Sequence, residues 1–137
     1  MAPSAILERI RKLEQRGLVV GYEARLSPTA LGLELIAFVF VKADERPFTG
    51  KIGNALAAIP DVQEVHNVAG EDCYLLKIRA RGTADLARIL REDLSAIKGI
   101  TSTRTTIVLD TVKETSTLSL KHLQENKNSE KPGSAGS

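Results

Sequence analysis

Tryptophan is absent from the sequence, and three Phe and two Tyr are its only large aromatic residues. With aromatics at 4% and hydrophobic residues at 42%, a core has to be aliphatic, built from Ile, Leu, Val and Ala. That content suffices for one small domain with appendages. Cys73 is the single cysteine. An internal disulfide and a Cys-rich zinc site are thereby excluded, and a reducing, cytoplasmic setting fits. His66 and His122 have no partner at metal-ligand spacing, so no metal is expected. A nucleophilic role for Cys73 is equally unsupported. No histidine lies near it, and its neighbours Glu71 and Asp72 disfavour a thiolate. Glycine-rich phosphate loops and nucleophile elbows are missing too. These absences exclude the common enzyme chemistries. The longest apolar run, Leu35–Val41, has seven residues. A bilayer span needs about 20, and no segment has the build of a signal peptide. No membrane partner is expected. The net charge of +2 is too small to argue nucleic-acid binding on its own.

What is present is periodic. Ser4–Arg16 predicts a helix, with Ser4 as its cap, Ile6, Ile10 and Leu13 as an apolar stripe, and Gly17 ending it in a left-handed turn. Leu18–Val20 and Ala24–Leu26 read as two short strands. Ser27–Leu33 is a connector, in which Ser27-Pro28 can begin a helical turn and Gly32 finish it. Glu34–Lys42 is a strand with almost no alternation, so both of its faces have to be covered. Thr49–Ile59 predicts a helix capped by Thr49, with Ile52, Leu56 and Ile59 as its stripe and Gly53 and Asn54 weakening it. Thr83–Ile97 predicts another, capped by Thr83, with Asp85 complementing the dipole and Leu86, Ile89, Leu90 and Leu94 packing. Gly99 closes it. Thr101–Val112 is rich in β-branched residues and reads as the last strand, with Lys113–Leu120 continuing it outward. The polar stretch from His122 on, ending in Gly, Ser and Ala, reads as a disordered tail.

The stretch Asp61–Arg81 organises these elements as two strands folded back on each other. Val65, Asn67 and Ala69 share one face of the first; Leu76, Ile78 and Ala80 share one face of the return. Between them Gly70-Glu71-Asp72-Cys73 makes a glycine-led, acidic turn. Such a turn offers backbone N–H groups and fixed negative charge, which suits a small zwitterion. The element order β-α-β, β-α-β predicts an α+β, ferredoxin-like βαββαβ antiparallel sheet. Two helices cover one face and the other is left bare. Leu35, Ile36, Ala37, Phe38, Val39, Phe40 and Val41 are expected at a dimer interface formed there, because large bare apolar faces are rare in monomers. His66 is expected as a strand residue at a subunit contact.

Several of these segments, in order and at the expected spacing, resemble one family. SAILERIRKLEQRGLVVGYEARLSPTALGL is similar to the second half of the winged helix-turn-helix head of Lrp/AsnC family regulators. VHNVAGEDCYLLKIRA and TSTRTTIVLDTVKETSTLSL are similar to the middle and end of that family's effector-binding RAM domain. The resemblance covers about Pro3–Leu120. It divides the chain into a partial DNA-binding head (1–26), a linker (27–33), the ferredoxin-like effector-binding and oligomerisation domain (34–120) and the tail (121–137). Two departures stand out. Relatives carry two further helices before the one at Ser4–Arg16, and a helix-turn-helix needs its first helix to hold the second on the duplex. The position of Cys73 is often Asp in relatives.

The resemblance implies a transcriptional regulator. Dimers would pair through their sheets and assemble into a ring, an octamer by resemblance, and a small amino acid would bind between dimers. Its contacts would come from Gly70, Glu71, Asp72, Cys73 and Tyr74, with Thr101 and Thr103 at the start of the last strand. No other cofactor is implied. In a complete head, Ser4, Arg9, Arg11, Lys12 and Arg16 would face DNA. The alternative is a head-less amino-acid-binding and oligomerisation module that does not touch DNA. An enzyme on the same plan, a tetrapyrrole decarboxylase, is disfavoured by the scarcity of histidine and aromatics.

Overall fold

Leu35–Ala43 (β1) lies in the middle of a four-stranded sheet and is paired along both edges. The computed structural model describes residues 3–45 and 49–124. Around β1 stand helix α1 (Pro3–Gln15), helix α2 (Lys51–Ala57), strands β2 (Val62–Asn67) and β3 (Tyr74–Ala80), helix α3 (Thr83–Arg88) and strand β4 (Ile100–Ile107). The strand order is β2-β3-β1-β4 and every neighbouring pair is antiparallel. This is the expected ferredoxin-like sheet.

Side-chain alternation along β1 divides its apolar run between two faces. Ala37, Val39 and Val41 are fully buried under the helices, among Ile52, Leu56 and Ile59 of the α2 region and Leu76, Ile78 and Ala80 of β3. Leu35 packs at the edge of the same cluster. Ile36, Phe38 and Phe40 point the other way, half-buried. The expected seven-residue interface is therefore corrected. Leu35, Ala37, Val39 and Val41 belong to the chain's own core, and only Ile36, Phe38 and Phe40 are available on the outward face. In register beside them stand Leu75, Lys77 and Arg79 of β3 and Arg104 and Thr106 of β4. His66 of β2 lies opposite Leu75, on the same face.

That outward face is less bare than expected. Val108 N–H bonds to Ile36 O at 2.9 Å, where β1 has nearly run out of residues to pair with. β4 accordingly ends at Ile107, and the following residues do not continue as a strand. They turn over the sheet instead. Glu114 forms an ion pair with Lys77 and accepts from Arg79 Nη2 at 3.0 Å. Lys77 and Arg79 together hold its carboxyl below the usual range, Lys77 contributing most.

Three expected caps are replaced. α1 begins at Pro3, so Ser4 lies inside its first turn. Gly50, at φ 74, precedes α2, and Thr49 donates its hydroxyl to Glu45 Oε2 at 3.1 Å. Gly82 precedes α3, with Thr83 as its first helical residue. The last helix also changes pitch: Ile89–Leu94 is π-helical, which widens the turn while Ile89 and Leu94 stay buried. Gly17 (φ 75) ends α1 as expected, with Leu18 N–H bonded back to Leu13 O at 2.9 Å. Gly32 (φ 77) likewise closes the connector turn. Leu18–Val20 and Ala24–Leu26 are not strands. Leu18, Val20 and Leu26 are exposed, and a two-stranded ribbon with no layer to bury it does not hold. Tyr22 instead ties this segment back to α1, donating to Glu14 Oε1 at 2.9 Å. Residues 121–124 form one helical turn. The rest of the expected tail, 125–137, lies outside the described residues.

Asp85 is the one buried charged residue in the described core. Its carboxylate accepts the Arg81 backbone N–H at 3.0 Å and pairs with the guanidinium groups of Arg81 and Arg88. The Arg81 backbone bond, then these side chains, push its pKa from 3.8 down to about 2. The folded value is the lower one, so the stabilisation is complete above the unfolded pKa and is lost as pH falls through about 2. Asp85→Asn is expected to lower the melting temperature at neutral pH. It should also lessen the fall in melting temperature between about pH 4 and 2. Thermal melts followed by circular dichroism across that range check both.

Candidate functional site

The reversal between β2 and β3 is fixed by backbone bonds before any side chain acts. Val68 N–H donates to Cys73 O at 3.0 Å, and Cys73 N–H donates to Val41 O at 2.9 Å. The second bond pins the turn to the C-terminal end of β1. Gly70 adopts φ 152, a conformation that L side chains rarely reach. The Cys73 thiol lies 3.6 Å from Ala43 O, a weak donor to a backbone carbonyl. Here a cavity of about 250 Å³ opens, lined by Gly70, Asp72, Cys73 and Tyr74 with Asn67, Val68, Ala69 and Glu45.

Two carboxylates meet in this cavity, and the sequence pointed to only one. Glu45 follows β1 by two residues. It accepts the Tyr74 hydroxyl and, at 3.3 Å, the Ile52 N–H, so it also satisfies a free donor at the start of α2. The Tyr74 bond leads the interactions that hold the Glu45 carboxyl below its usual range. Burial, then the same bond, raises the Tyr74 phenol. The Tyr74 ring rests on α2 at Gly53, where a Cβ would come within 3.1 Å of Cε1. The glycine that weakens α2 therefore makes room for this side chain. Asp72 accepts from Arg104 Nη2 at 3.0 Å. No described residue accepts a hydrogen bond from the N–H groups of Gly70, Glu71 or Asp72. Free N–H groups beside carboxylates can hold the two ends of a zwitterion.

The other expected site residues are not gathered here within one chain. Glu71 is exposed and does not line the cavity. Thr101 and Thr103 lie on β4, exposed, and the Thr101 hydroxyl donates to Lys42 O at 3.2 Å. Ser4, Arg9, Arg11, Lys12 and Arg16 are exposed on α1 and at its end. Two apolar residues of that helix are uncovered as well, Ile6 at 44% and Leu7 at 54%. A larger hollow of about 480 Å³ lies over β3, lined by Lys77, Arg79, Glu64 and Glu114. Those charges already pair with one another, and the hollow belongs to the outward sheet face. Among the described residues no group of His, Cys, Asp and Glu is placed to hold a metal ion, and no helix is long and apolar enough to cross a membrane.

A four-stranded antiparallel sheet with a cavity at its acidic turn is the architecture of a small ligand-binding domain, and comparison with known proteins supplies the family. Residues 36–118 match the family described as "Lrp/AsnC ligand binding domain". The leucine-responsive regulatory protein of Haemophilus influenzae is 35% identical over 124 residues, covering 88% of this chain and 74% of that protein. A transcriptional regulator of Neisseria meningitidis, solved as its complex with L-Met, superposes with a TM-score of 0.81 at 28% identity, over 90% of this chain and 80% of that one. The feast or famine regulatory protein of M. tuberculosis, complexed with L-methionine, gives 0.72 at 32% identity, over 86% and 79%. The chain belongs to the Lrp/AsnC family of transcriptional regulators, and the bulk of it is that family's ligand-binding domain. The relatives are regulators, not enzymes.

Proposed function

We propose that this chain senses a small amino acid at the β2–β3 turn and converts its binding into a change of assembly and of DNA binding. The observation that carries the reading is the cavity of about 250 Å³ in which Asp72 and Glu45 stand beside the free N–H groups of the turn. The N–H groups receive the effector carboxylate and Asp72 its ammonium group; Tyr74 holds Glu45 in place. Both solved relatives named above contain methionine, so L-methionine is the first probe. Thr101 and Thr103 join the site from a neighbouring dimer, which is how exposed hydroxyls on β4 meet a turn they do not reach within one chain. Dimers form through Ile36, Phe38 and Phe40, then associate into a higher ring. Residues 1–26 act as the DNA-contacting part, 27–33 as its linker and 34–120 as the effector-binding and assembly domain. Cytoplasmic location follows from this role.

Calorimetric titration of the full chain with the standard amino acids, repeated on Asp72→Asn, tests the site. One charge-assisted bond lost is expected to weaken the best ligand roughly 10- to 100-fold. Unchanged affinity in the variant would remove the turn from consideration. A second reading is favoured by α1, whose Ile6, Leu7 and Leu13 remain exposed. In that reading the chain is an effector-binding module that meets DNA only in company with a full-length relative. Fluorescence anisotropy with operator DNA at several salt concentrations separates the two. A steep salt slope supports direct contact, and no binding at low salt supports the module.

A further inference from the structure

One side chain touches both the effector turn and the outward sheet face. Arg104 stands on β4 directly opposite Phe40 of β1. Its guanidinium carbon lies 4.5 Å from the centroid of the Phe40 ring, a cation–π contact. The same guanidinium donates through Nη2 to Asp72 Oδ2 at 3.0 Å. Asp72 lines the cavity. Phe40 belongs to the face assigned above to dimer contact. The pair is partly solvated, with Arg104 67% exposed and Asp72 21%, so it exchanges easily against another cation.

We infer that Arg104 and the ammonium group of the effector compete for the Asp72 carboxylate, and that this competition transmits ligand binding to the dimer face. The inference rests on the proposed effector site and adds its regulation. An ammonium group seated on Asp72 brings a second positive charge close to the guanidinium, and the two repel. The Arg104–Asp72 bond weakens, and the guanidinium is left to the Phe40 ring and its surroundings. The surface presented to a second copy changes in charge and shape, while the sheet beneath keeps its register. Linkage makes the effect reciprocal: whatever strengthens the Arg104–Asp72 bond weakens effector binding by the same factor. Arg104 is a positioning residue in this scheme, because it acts through Asp72 without touching the ligand.

The competition has a sign that a merely structural clamp does not share. Removing a clamp loosens the turn and weakens binding, whereas removing a competitor tightens it. The full-length chain, Arg104→Gln and Asp72→Asn are titrated with L-methionine by calorimetry, and their sedimentation is followed with and without ligand. If the unmodified chain does not take L-methionine, the standard amino acid it binds best replaces it. Arg104→Gln is expected to bind roughly two- to fivefold tighter, the range of a partly exposed ion pair, and to lose the ligand-dependent change in sedimentation. Equal or weaker binding by Arg104→Gln, or a retained sedimentation response, overturns the coupling. If Asp72→Asn still loses affinity in that case, the effector site stands without it. If no standard amino acid binds the unmodified chain, or Asp72→Asn binds as well as it does, the effector site fails and the coupling with it.

Discussion

On the proposed sheet-to-sheet dimer, replacing Phe38 and Phe40 together with aspartate is expected to leave a folded chain that sediments as a monomer at concentrations where the unmodified chain is expected as a dimer. Both side chains point away from the helices, so the core of Val39, Leu76 and Ile78 is untouched. Burying a Phe side chain is worth about 1.5–3 kcal/mol. A two-fold interface counts each substitution twice. Each side chain is already half-buried in the single chain, so about half of that value is left to association; losing four such contributions at the lower value removes about 3 kcal/mol, roughly two decades in the dissociation constant. Desolvating the introduced carboxylates adds to the loss. Sedimentation equilibrium reads the mass, and a circular dichroism melt confirms that the fold persists. A double variant of unchanged mass would move the dimer contact to another surface.

Leu76→Ala is expected to do the reverse, damaging the fold rather than the association. Leu76 is fully buried, paired across to Val39 on β1 and Val65 on β2. Truncation at such a site costs about 2–5 kcal/mol through lost transfer energy and the cavity left behind. Against a total stability of about 5–15 kcal/mol this is a large share. A melting temperature lower by roughly 10 °C or more follows for a domain of this size. Urea unfolding should show a lower midpoint with an unchanged slope. The neighbouring Leu75→Ala serves as the internal contrast. Leu75 lies on the outward face, so its truncation should cost much less stability.

These two predictions use what the sequence made legible. Ile52, Leu56 and Ile59 on one side and Leu76, Ile78 and Ala80 on the other were marked by helix and strand periods, and all are buried. The doubly apolar β1 was marked by its failure to alternate, although that failure did not say which residues face which way. The turn at Gly70 was marked by its chemistry. The long-range pairs that complete the site and the outward sheet face left no periodic trace. Glu45 meets Tyr74 across 29 positions, Arg104 meets Asp72 across 32, and Glu114 meets Arg79 across 35. Such pairs are set by which strand ends fall together in the β2-β3-β1-β4 order. A local reading supplies propensity and pattern, and neither encodes that order. The helix caps failed for a related reason. Thr49 has the right chemistry, but Gly50 beside it takes the left-handed φ of 74 from which α2 starts, and Thr83 is already the first helical residue of α3.

The placement of β4 also sets the timetable of biosynthesis. β1 is made early, as residues 35–43, yet one of its two edges is completed only by residues 100–107. A ribosome releases the chain from its amino end, so the greasiest strand emerges with an open edge long before its last neighbour exists. Closing so long a loop is slow compared with helix formation. During that interval the nascent polypeptide is exposed to wrong pairing, by the same unpaired backbone that makes sheet edges sticky. The topology thus leaves that edge to be shielded until residues 100–107 are available to pair with it.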